Sequence, residues 1–146
     1  MNTFPQQNTG FPLVQLIDFT IRGDRRGSLI ALETQREIPF TIARVYYIFG
    51  TQPGVVRGLH AHKTFRQVCV AVCGSLRMML DNGFERAEVI LNRPDKGLFI
   101  GPGVWLEMDD FSPDCVMMVL ADAPYEEADY IRDKKQFLNY AHSSNR

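Results

Sequence analysis

The stretch of sequence that decides the fold spans residues 54–74 and reads GVVRGLHAHKTFRQVCVAVCG. In it, His60 and His62 are separated by one residue, and Gln67 follows the second histidine. Residues two apart in an extended strand project to the same face, so both imidazoles should point to one side. The apolar run at 68–72 favours a second strand, because valine suits a pleated and buried backbone. The stretch therefore predicts two consecutive strands, with a histidine pair on one face of the first.

The rest of the chain continues as short β-favouring runs, divided by glycine, proline and Asp/Asn turns. The predicted strands are residues 13–19, 28–33, 43–49, 55–62, 66–72, 75–80, 87–91, 97–100, 104–108 and 116–121. Helix-favouring sequence appears only late, at 123–127 and 133–140. Short strands at this spacing predict an all-β sandwich or barrel, with a short C-terminal helical segment packed on the outside.

Size and composition indicate one globular domain. With 146 residues, of which 45% are hydrophobic and 23% charged, the chain can bury a core of its own. We expect a mobile lead-in or a swapped strand at residues 1–12, a single domain at 13–140 and a polar tail at 141–146.

The net charge of -1 argues against two classes of partner. It provides no field for holding nucleic acid or an anionic membrane, so neither is expected. No run approaches the roughly 18 apolar residues that a membrane span requires. The three cysteines form no CxxC pair and are expected to be reduced thiols. We therefore expect a cytoplasmic protein.

The spacing of the histidine stretch, G-x5-H-x-H-x4-Q-x6-G, resembles the first signature of the cupin superfamily, with glutamine where that signature has glutamate. The resemblance implies a jelly-roll barrel, or double-stranded β-helix, with the histidine pair facing its interior. Many cupins bind a metal there through two histidines, a carboxylate and a third histidine downstream. In this chain Gln67 replaces the carboxylate, and Trp105 or Leu106 takes the place of the downstream histidine. The remaining histidine, His142, lies in the predicted polar tail. We expect no metal and no cofactor, which leaves the histidine pair for acid and base chemistry.

Four fragments together resemble the sugar 3,4-ketoisomerase family, also called WxcM-like cupins. They are DRRGSL at 24–29, RVYYIF at 44–49, RGLHAHK at 57–63 and NRPDKGL at 92–98. The similarity extends over roughly residues 13–140. Members of this family isomerise dTDP-4-keto-6-deoxyglucose to a 3-keto sugar through an enediol. The resemblance implies deoxysugar biosynthesis, in which an aminotransferase then makes a 3-amino-3,6-dideoxyhexose for surface glycans, such as the O-antigen of lipopolysaccharide, or for antibiotics.

The resemblance also implies the catalytic residues. It assigns the carbon base to His62, with His60 and a strand tyrosine completing the acid and base set. Tyr46 and Tyr47 lie on opposite faces of the predicted strand. Counting back from Gly54 by the related epimerase pattern favours Tyr47 as the inward residue. The alternative for either tyrosine is packing in the core or at a dimer interface.

The nucleotide presents a diphosphate and a thymine ring to be bound. Arginine suits phosphate through its planar fork of donors, so Arg57 and Arg26 are the main candidates. Further substrate-binding candidates are Lys63, Gln67, Arg77 and Trp105. Trp105 either stacks on thymine or packs in the core, and Arg77 can face either way. Gln67 bonds sugar hydroxyls or satisfies backbone groups.

Two other functions suit parts of the sequence. A sugar-nucleotide 3,5-epimerase uses the same acidified proton, although the HAHK sequence at residues 60–63 argues against it. A non-catalytic cupin that binds a sugar or an effector would also carry an inward histidine pair and turn arginines. The C4 configuration of the product is left open, because Arg26 and Leu106 give no consistent indication. Small cupins commonly pair by exchanging or adding an N-terminal strand, so we expect a homodimer.

Overall fold

The computed structural model describes residues 6–11 and 13–144, with side chains described for residues 13–143. Most of this chain is extended, and its strands are, in chain order, β1 (Gln6–Phe11), β2 (Val14–Asp18), β3 (Arg22–Asp24), β4 (Gly27–Leu29), β5 (Arg44–Phe49), β6 (Arg57–His62), β7 (Gln67–Cys73), β8 (Leu76–Asp81), β9 (Arg86–Leu91), β10 (Lys96–Ile100), β11 (Trp105–Asp109), β12 (Val116–Ala121) and β13 (Tyr130–Ile131). A 3-10 turn, Glu127–Asp129, precedes β13, and the helix α1 (Lys134–Ser144) follows it.

Two antiparallel sheets form the body of the fold. The larger has the strand order β1-β2-β10-β7-β12-β5, and the smaller has the order β13-β6-β11-β8-β9. Several neighbouring strands in each sheet are far apart in sequence, for example β10 beside β2 and β11 beside β6. Two facing antiparallel sheets linked in this way are the architecture of a jelly roll. The prediction of an all-β jelly-roll barrel with a short C-terminal helix is confirmed.

The inner faces of the two sheets meet in one apolar core. Residues alternate along each strand, so Leu76, Met78 and Leu80 of β8 point inward while the residues between them point outward. The facing and neighbouring strands contribute Cys69, Ala71, Leu106, Met108, Met117 and Val119. The histidine stretch runs along the wall of this core, because β6 pairs with β11.

Two smaller apolar clusters cover the outer faces. Ile38 and Phe40, from the connection between β4 and β5, pack against Val68 and Val70 on the outer side of β7. On the other sheet, Phe137 of α1 is fully buried in a cluster with Trp105 and Ala61. By contrast, the β3–β4 hairpin forms a separate two-stranded ribbon, and residues 21–29 are all exposed.

The ten predicted strands all have counterparts in the structure, although residues 28–33 form a strand only as far as Leu29. Strands β1, β3 and β13 were not predicted individually. Within the predicted lead-in, residues 6–11 form β1 and pair with β2 of the same chain, while residues 1–5 and 12 lie outside the described residues.

The end of the chain differs from the sequence-based expectation. Helix α1 begins at Lys134, after Asp133 caps it by accepting a hydrogen bond from the N–H of Gln136. The helix continues through residues 141–144, which were expected to form a polar tail. Ala141 is buried, and a ring nitrogen of His142 lies 2.8 Å from the carbonyl oxygen of Gly83, so these residues pack on the domain. Residues 145 and 146 lie outside the described part. No helix in the described chain is long and apolar enough to cross a bilayer.

Candidate active site

The histidine pair lies at the end of β6, on the face that the strand turns toward the barrel core. His60 stands directly opposite Leu106 of β11, which belongs to that core. Both imidazoles are buried, and their ring centroids are 5.0 Å apart in an edge-to-face arrangement. Since residues two apart share a face, β6 delivers both rings to one place.

A β-bulge just before the pair sets the orientation of His60. The β6–β11 register shifts between Leu106 and Glu107, and both Gly58 (φ 83) and Leu59 (φ 57) have left-handed backbone. A Cβ atom on Gly58 would lie 2.7 Å from Cδ1 of Leu106, so this position needs glycine. The bulge turns the Gly58 carbonyl toward Nδ1 of His60, at 3.0 Å. In neutral His60 the proton is therefore on Nδ1, and Nε2 carries the lone pair.

His62 is held between two buried polar side chains. Its Nε2 atom lies 2.8 Å from the amide nitrogen of Gln67 on β7, and its Nδ1 atom lies 3.3 Å from Oδ2 of Asp129. The ring also stacks on Phe65, with 5.3 Å between centroids. Sequence analysis named Gln67 and missed Asp129, which is 67 residues away along the chain and belongs to no recognisable spacing pattern.

Burial keeps both histidines neutral. Desolvation lowers the pKa of His60, and the hydrogen bond to Gly58 only partly offsets this effect. Desolvation, followed by the neighbouring His60, also lowers the pKa of His62, while the charge of Asp129 acts in the opposite direction. Both rings are therefore ready to accept protons at neutral pH.

A tyrosine that sequence analysis missed completes the cluster around the histidines. Tyr130 of β13 lies 5.0 Å from His60 and 4.4 Å from His62, measured between ring centroids. The guanidinium of Arg132 lies 4.3 Å from the Tyr130 ring centroid and forms an ion pair with Glu127 at 2.7 Å. The phenol and the cation thus border the buried imidazoles on one side.

The structure corrects the orientation predicted for the tyrosines of β5. Tyr47 is 64% exposed, whereas Tyr46 packs against the barrel core. Burial raises the pKa of Tyr46, and Arg44 lies 4.5 Å from its ring centroid. The expectation that Tyr47 faces inward was wrong, because the count back from Gly54 crossed an irregular loop, through which strand parity is not conserved.

Of the two roles expected for Trp105, stacking on thymine and packing, the structure supports packing. Trp105 stands opposite Ala61, the residue between the two histidines, and therefore points to the other face of the sheet. There it is buried beneath α1, 5.7 Å from the Phe137 ring, and its indole N–H donates to Glu107. Trp105 is a packing residue of the outer cluster.

Arg77 likewise points away from the barrel core. It lies between the inward residues Leu76 and Met78 of β8, so its side chain points outward. Its guanidinium pairs with Asp109 through contacts of 2.7 and 2.6 Å. This outward, paired position does not support the substrate-binding role expected of Arg77.

The remaining candidates differ in how close the structure places them to the histidines. On β6, Arg57 stands opposite the core residue Met108; its side chain is exposed, and its charge acts on Tyr46. Lys63 has an exposed side chain in the loop directly after His62. Arg26 lies on the β3–β4 hairpin with its side chain 90% exposed and paired with Asp24 at 2.6 Å.

The donor atoms around the histidines are poorly suited to a metal ion. Gln67 places an amide nitrogen toward His62, where metal-binding cupins have a carboxylate. Across the described residues, no group of three or more His, Cys, Asp and Glu side chains is arranged to hold a metal. The arrangement offers two neutral imidazoles, phenols and an exposed arginine on the same strand, which suits proton transfer on an anionic ligand.

Comparison with known proteins agrees with this geometry. Residues 13–142 match the family model described as "FdtA: WxcM-like, C-terminal". A curated relative from Aneurinibacillus thermoaerophilus, named TDP-4-oxo-6-deoxy-alpha-D-glucose-3,4-oxoisomerase, is 52% identical over 126 residues, which make up 86% of this chain and 91% of the relative.

Solved structures show the same relationship. A 3,4-ketoisomerase from Helicobacter canadensis is 46% identical, with a TM-score of 0.86, and the match covers 88% of this chain and 97% of that one. A histidine-to-asparagine mutant of the 3,4-ketoisomerase from Thermoanaerobacterium thermosaccharolyticum, in complex with TDP-4-keto-6-deoxyglucose, is 39% identical, with a TM-score of 0.90 and coverage of 92% and 98%. The chain therefore belongs to the WxcM-like family of sugar 3,4-ketoisomerases.

Proposed function

We propose that this protein moves the carbonyl group of TDP-4-keto-6-deoxyglucose from C4 to C3, as the names of its relatives state for them. The observation that carries this proposal is the pair of buried, neutral imidazoles on one face of β6, with a phenol beside them. These groups form an acid and base set, and the isomerisation requires only proton transfers.

The chemistry follows from the substrate. The C4 ketone acidifies the proton on C3, and a base that removes this proton generates an enediol across C3 and C4. A proton then passes from the oxygen on C3 to the oxygen on C4, and the carbon base returns its proton to C4. One C–H bond breaks and one forms, so electrons and atoms balance with no external oxidant or reductant.

We assign the carbon base to His62 and the proton transfer between oxygens to His60. The bulge leaves Nε2 of His60 as a free lone pair, which suits a group that accepts and returns a hydroxyl proton. Tyr130, in contact with both rings, and Tyr46, whose raised pKa keeps it protonated, replace Tyr47 as the candidate phenols. In a relative, a mutant with asparagine in place of one histidine was solved with the 4-keto sugar bound.

Binding of the diphosphate is assigned to Arg57, whose exposed position on the strand of the histidine pair supports this role. Arg26 remains a second candidate because it belongs to the fragment at 24–29 that resembles the family. In the single chain described, its side chain is paired with Asp24. Lys63 lies beside the histidines in sequence and is exposed, so it can reach a phosphate or a sugar hydroxyl. Gln67 hydrogen-bonds His62, which supports a role for its amide beside the base.

Turnover in deuterium oxide separates this proposal from its rivals. A 3,4-ketoisomerase yields a 3-keto product, which can be trapped with a 3-aminotransferase and identified by NMR together with its C4 configuration, and it incorporates deuterium at C4 to the extent that the proton on the base exchanges with solvent before it returns. A 3,5-epimerase would invert C5, and a sugar-binding cupin would produce neither change. Inversion at C5 without a 3-keto product would overturn the proposal.

We also propose that the protein is a homodimer. The outward face of the edge strand β5 exposes Val45 (53%), Tyr47 (64%) and Phe49 (67%), an apolar stripe of the kind that a partner subunit covers. A sedimentation mass near twice that of one chain is expected at micromolar concentration, and a mass near one chain would contradict the dimer.

The cellular setting is proposed on chemical grounds. All three cysteines are free thiols, which suits a reducing, cytoplasmic compartment. The 3-keto product is a substrate for transamination, so an amino-sugar route toward a surface glycan such as the O-antigen of lipopolysaccharide is the setting we favour. Fractionation of cells, with the soluble cytoplasmic and membrane fractions assayed separately, tests the location.

A further inference from the structure

His62 faces a buried carboxylate on the side away from Gln67. Its Nδ1 atom is buried, makes no well-aligned hydrogen bond in the described part of the chain, and lies 3.3 Å from Oδ2 of Asp129. Catalytic hydrogen bonds are often long in the absence of substrate and shorten when it binds. This contact is therefore within the range of a functional hydrogen bond.

Asp129 is fixed in place by the loop that follows β6. Its Oδ1 atom accepts hydrogen bonds from the backbone N–H of Thr64 at 3.0 Å and from the Thr64 hydroxyl at 2.6 Å. Its Oδ2 atom accepts one from the N–H of Phe65 at 3.2 Å. These three donors hold the carboxylate in one orientation, with Oδ2 facing Nδ1 of His62.

The two neighbours of His62 together select its tautomer. If the proton is on Nδ1, it points at the Asp129 carboxylate, and the lone pair on Nε2 accepts from the Gln67 amide N–H. If the proton were on Nε2, the Nδ1 lone pair would face a carboxylate oxygen at 3.3 Å, and the two would repel each other. Only the first arrangement satisfies both sides of the ring.

The other groups that act on His62 provide no negative charge to stabilise a protonated ring. His60 and Arg44 disfavour the protonated ring, and Tyr130 contributes an uncharged phenol at 4.4 Å between ring centroids. Asp129 is the group whose charge favours the imidazolium. An imidazolium formed during turnover would therefore depend on it for stabilisation.

We propose that Asp129 is a positioning residue for His62, holding the imidazole proton on Nδ1 so that Nε2 accepts the proton from C3 of the sugar. The proposal rests on the base role assigned to His62 above. When the C3–H bond breaks, Nε2 gives up the hydrogen bond from Gln67 and takes the proton, while the proton on Nδ1 stays directed at Asp129. Return of a proton from Nε2 to C4 restores the resting tautomer.

The test is the ring tautomer of His62, read from long-range ¹H–¹⁵N NMR spectra of the unliganded protein. The wild type is expected to carry the proton on Nδ1, and Asp129→Asn is expected to lose this preference. Because the measurement requires no turnover, its result is independent of whether the protein is a ketoisomerase. A wild-type His62 protonated on Nε2 overturns the inference, even if the Asp129 variant does not fold.

The pH profile separates a positioning role from a structural one. Loss of the negative charge lowers the pKa of His62 further, so the acid limb of kcat/KM should move to lower pH in Asp129→Asn while kcat falls at least about tenfold. Thr64→Val removes a hydroxyl donor from the same carboxylate but keeps its charge, and it should keep both the tautomer and the acid limb. If the two variants change the profile equally, or neither does, Asp129 only braces the loop.

Discussion

The amide nitrogen of Gln67 lies 2.8 Å from Nε2 of His62, so an uncharged donor occupies the position where metal-binding cupins supply a carboxylate. Burial lowers the pKa of the His62 ring. An uncharged amide beside Nε2 adds no negative charge that would raise this pKa again. The Gln67 amide therefore has two effects: it disfavours metal binding, and it allows His62 to remain unprotonated at neutral pH.

Replacing this amide by a carboxylate should disable the base. In Gln67→Glu a negative charge beside Nε2 favours the imidazolium and raises the pKa of His62. A base works only when unprotonated, so activity is lost as pH falls through that pKa, and a raised pKa moves the loss to higher pH. We expect turnover at pH 7 to fall at least about tenfold and to recover in part at higher pH. A pH–rate profile checks this, and an acid limb identical to that of the wild type would contradict it.

Removal of metal ions should leave the wild-type enzyme active. The expectation rests on the donor set, since Gln67 presents an amide at Nε2 of His62 and no group of three or more His, Cys, Asp and Glu side chains in the described residues is arranged to hold a metal. Turnover is to be measured after exhaustive dialysis against a chelator and again after addition of zinc, iron or manganese. A loss of activity that one of these ions restores would show that the site is a metal centre.

Arg57 should contribute to nucleotide affinity through its position on β6, the strand of the histidine pair. A charge-assisted hydrogen bond to phosphate contributes roughly 1.5–3 kcal/mol, so Arg57→Ala should weaken binding of dTDP by at least about tenfold. Calorimetric titration with dTDP measures this without turnover. Arg77→Ala is the matched control, because Arg77 is paired with Asp109 on the outer face and should not affect affinity. Equal affinity of the Arg57 variant and the wild type would reassign Arg57 to structure.

Trp105 should matter for stability and not for nucleotide binding. It is buried under α1 against Phe137, so Trp105→Ala should lower the free energy of unfolding by about 3–5 kcal/mol. Trp105→Phe keeps the apolar packing but loses the hydrogen bond to Glu107, and it should remain folded with unchanged affinity for dTDP. Denaturant unfolding and titration check the two parts. Weaker dTDP binding by a stably folded Trp105→Phe would restore the stacking role.

The side-chain orientations that could be predicted from the sequence were those that depend on the two-residue periodicity of a single strand. His60 and His62 share a face because two residues separate equivalent positions on a strand, and this holds without knowledge of the partner strands. The predicted inward orientation of Tyr47 was wrong because it was counted across the loop at residues 50–56. Trp105 could have been placed on the outer face only with knowledge that it pairs with Ala61.

Contacts between distant segments could not be predicted in this way. Asp129 and Tyr130 meet the histidines because β13 pairs with the end of β6, and this strand has only two residues and no sequence pattern of its own. The bulge at Gly58 is similar, since a glycine in a strand suggests a bulge but does not say which carbonyl it turns toward His60. The fold was thus accessible from local patterns, and much of the site was not.

The mechanism depends most on His62, because a single base over one face of the sugar can serve both carbons. C3 and C4 are adjacent, so an imidazole can return to C4 the proton that it accepted from C3. Asparagine approximates the size and hydrogen bonding of this ring but cannot take up a proton. His62→Asn should therefore bind nucleotide nearly as the wild type does, while turnover falls by about a hundredfold or more.

Exchange of the C3 proton with deuterium oxide, followed by NMR before isomerisation is complete, isolates the step assigned to His62, because the proton on the base can exchange with solvent before it returns to carbon. His62→Asn should lose this exchange together with turnover. His60→Asn should retain part of it, because His60 is assigned to the oxygens, and Tyr130, in contact with both rings, can partly replace an oxygen acid. If His62→Asn exchanges C3 at the wild-type rate and His60→Asn does not, the base is His60, whose Nε2 lone pair the bulge at Gly58 leaves free.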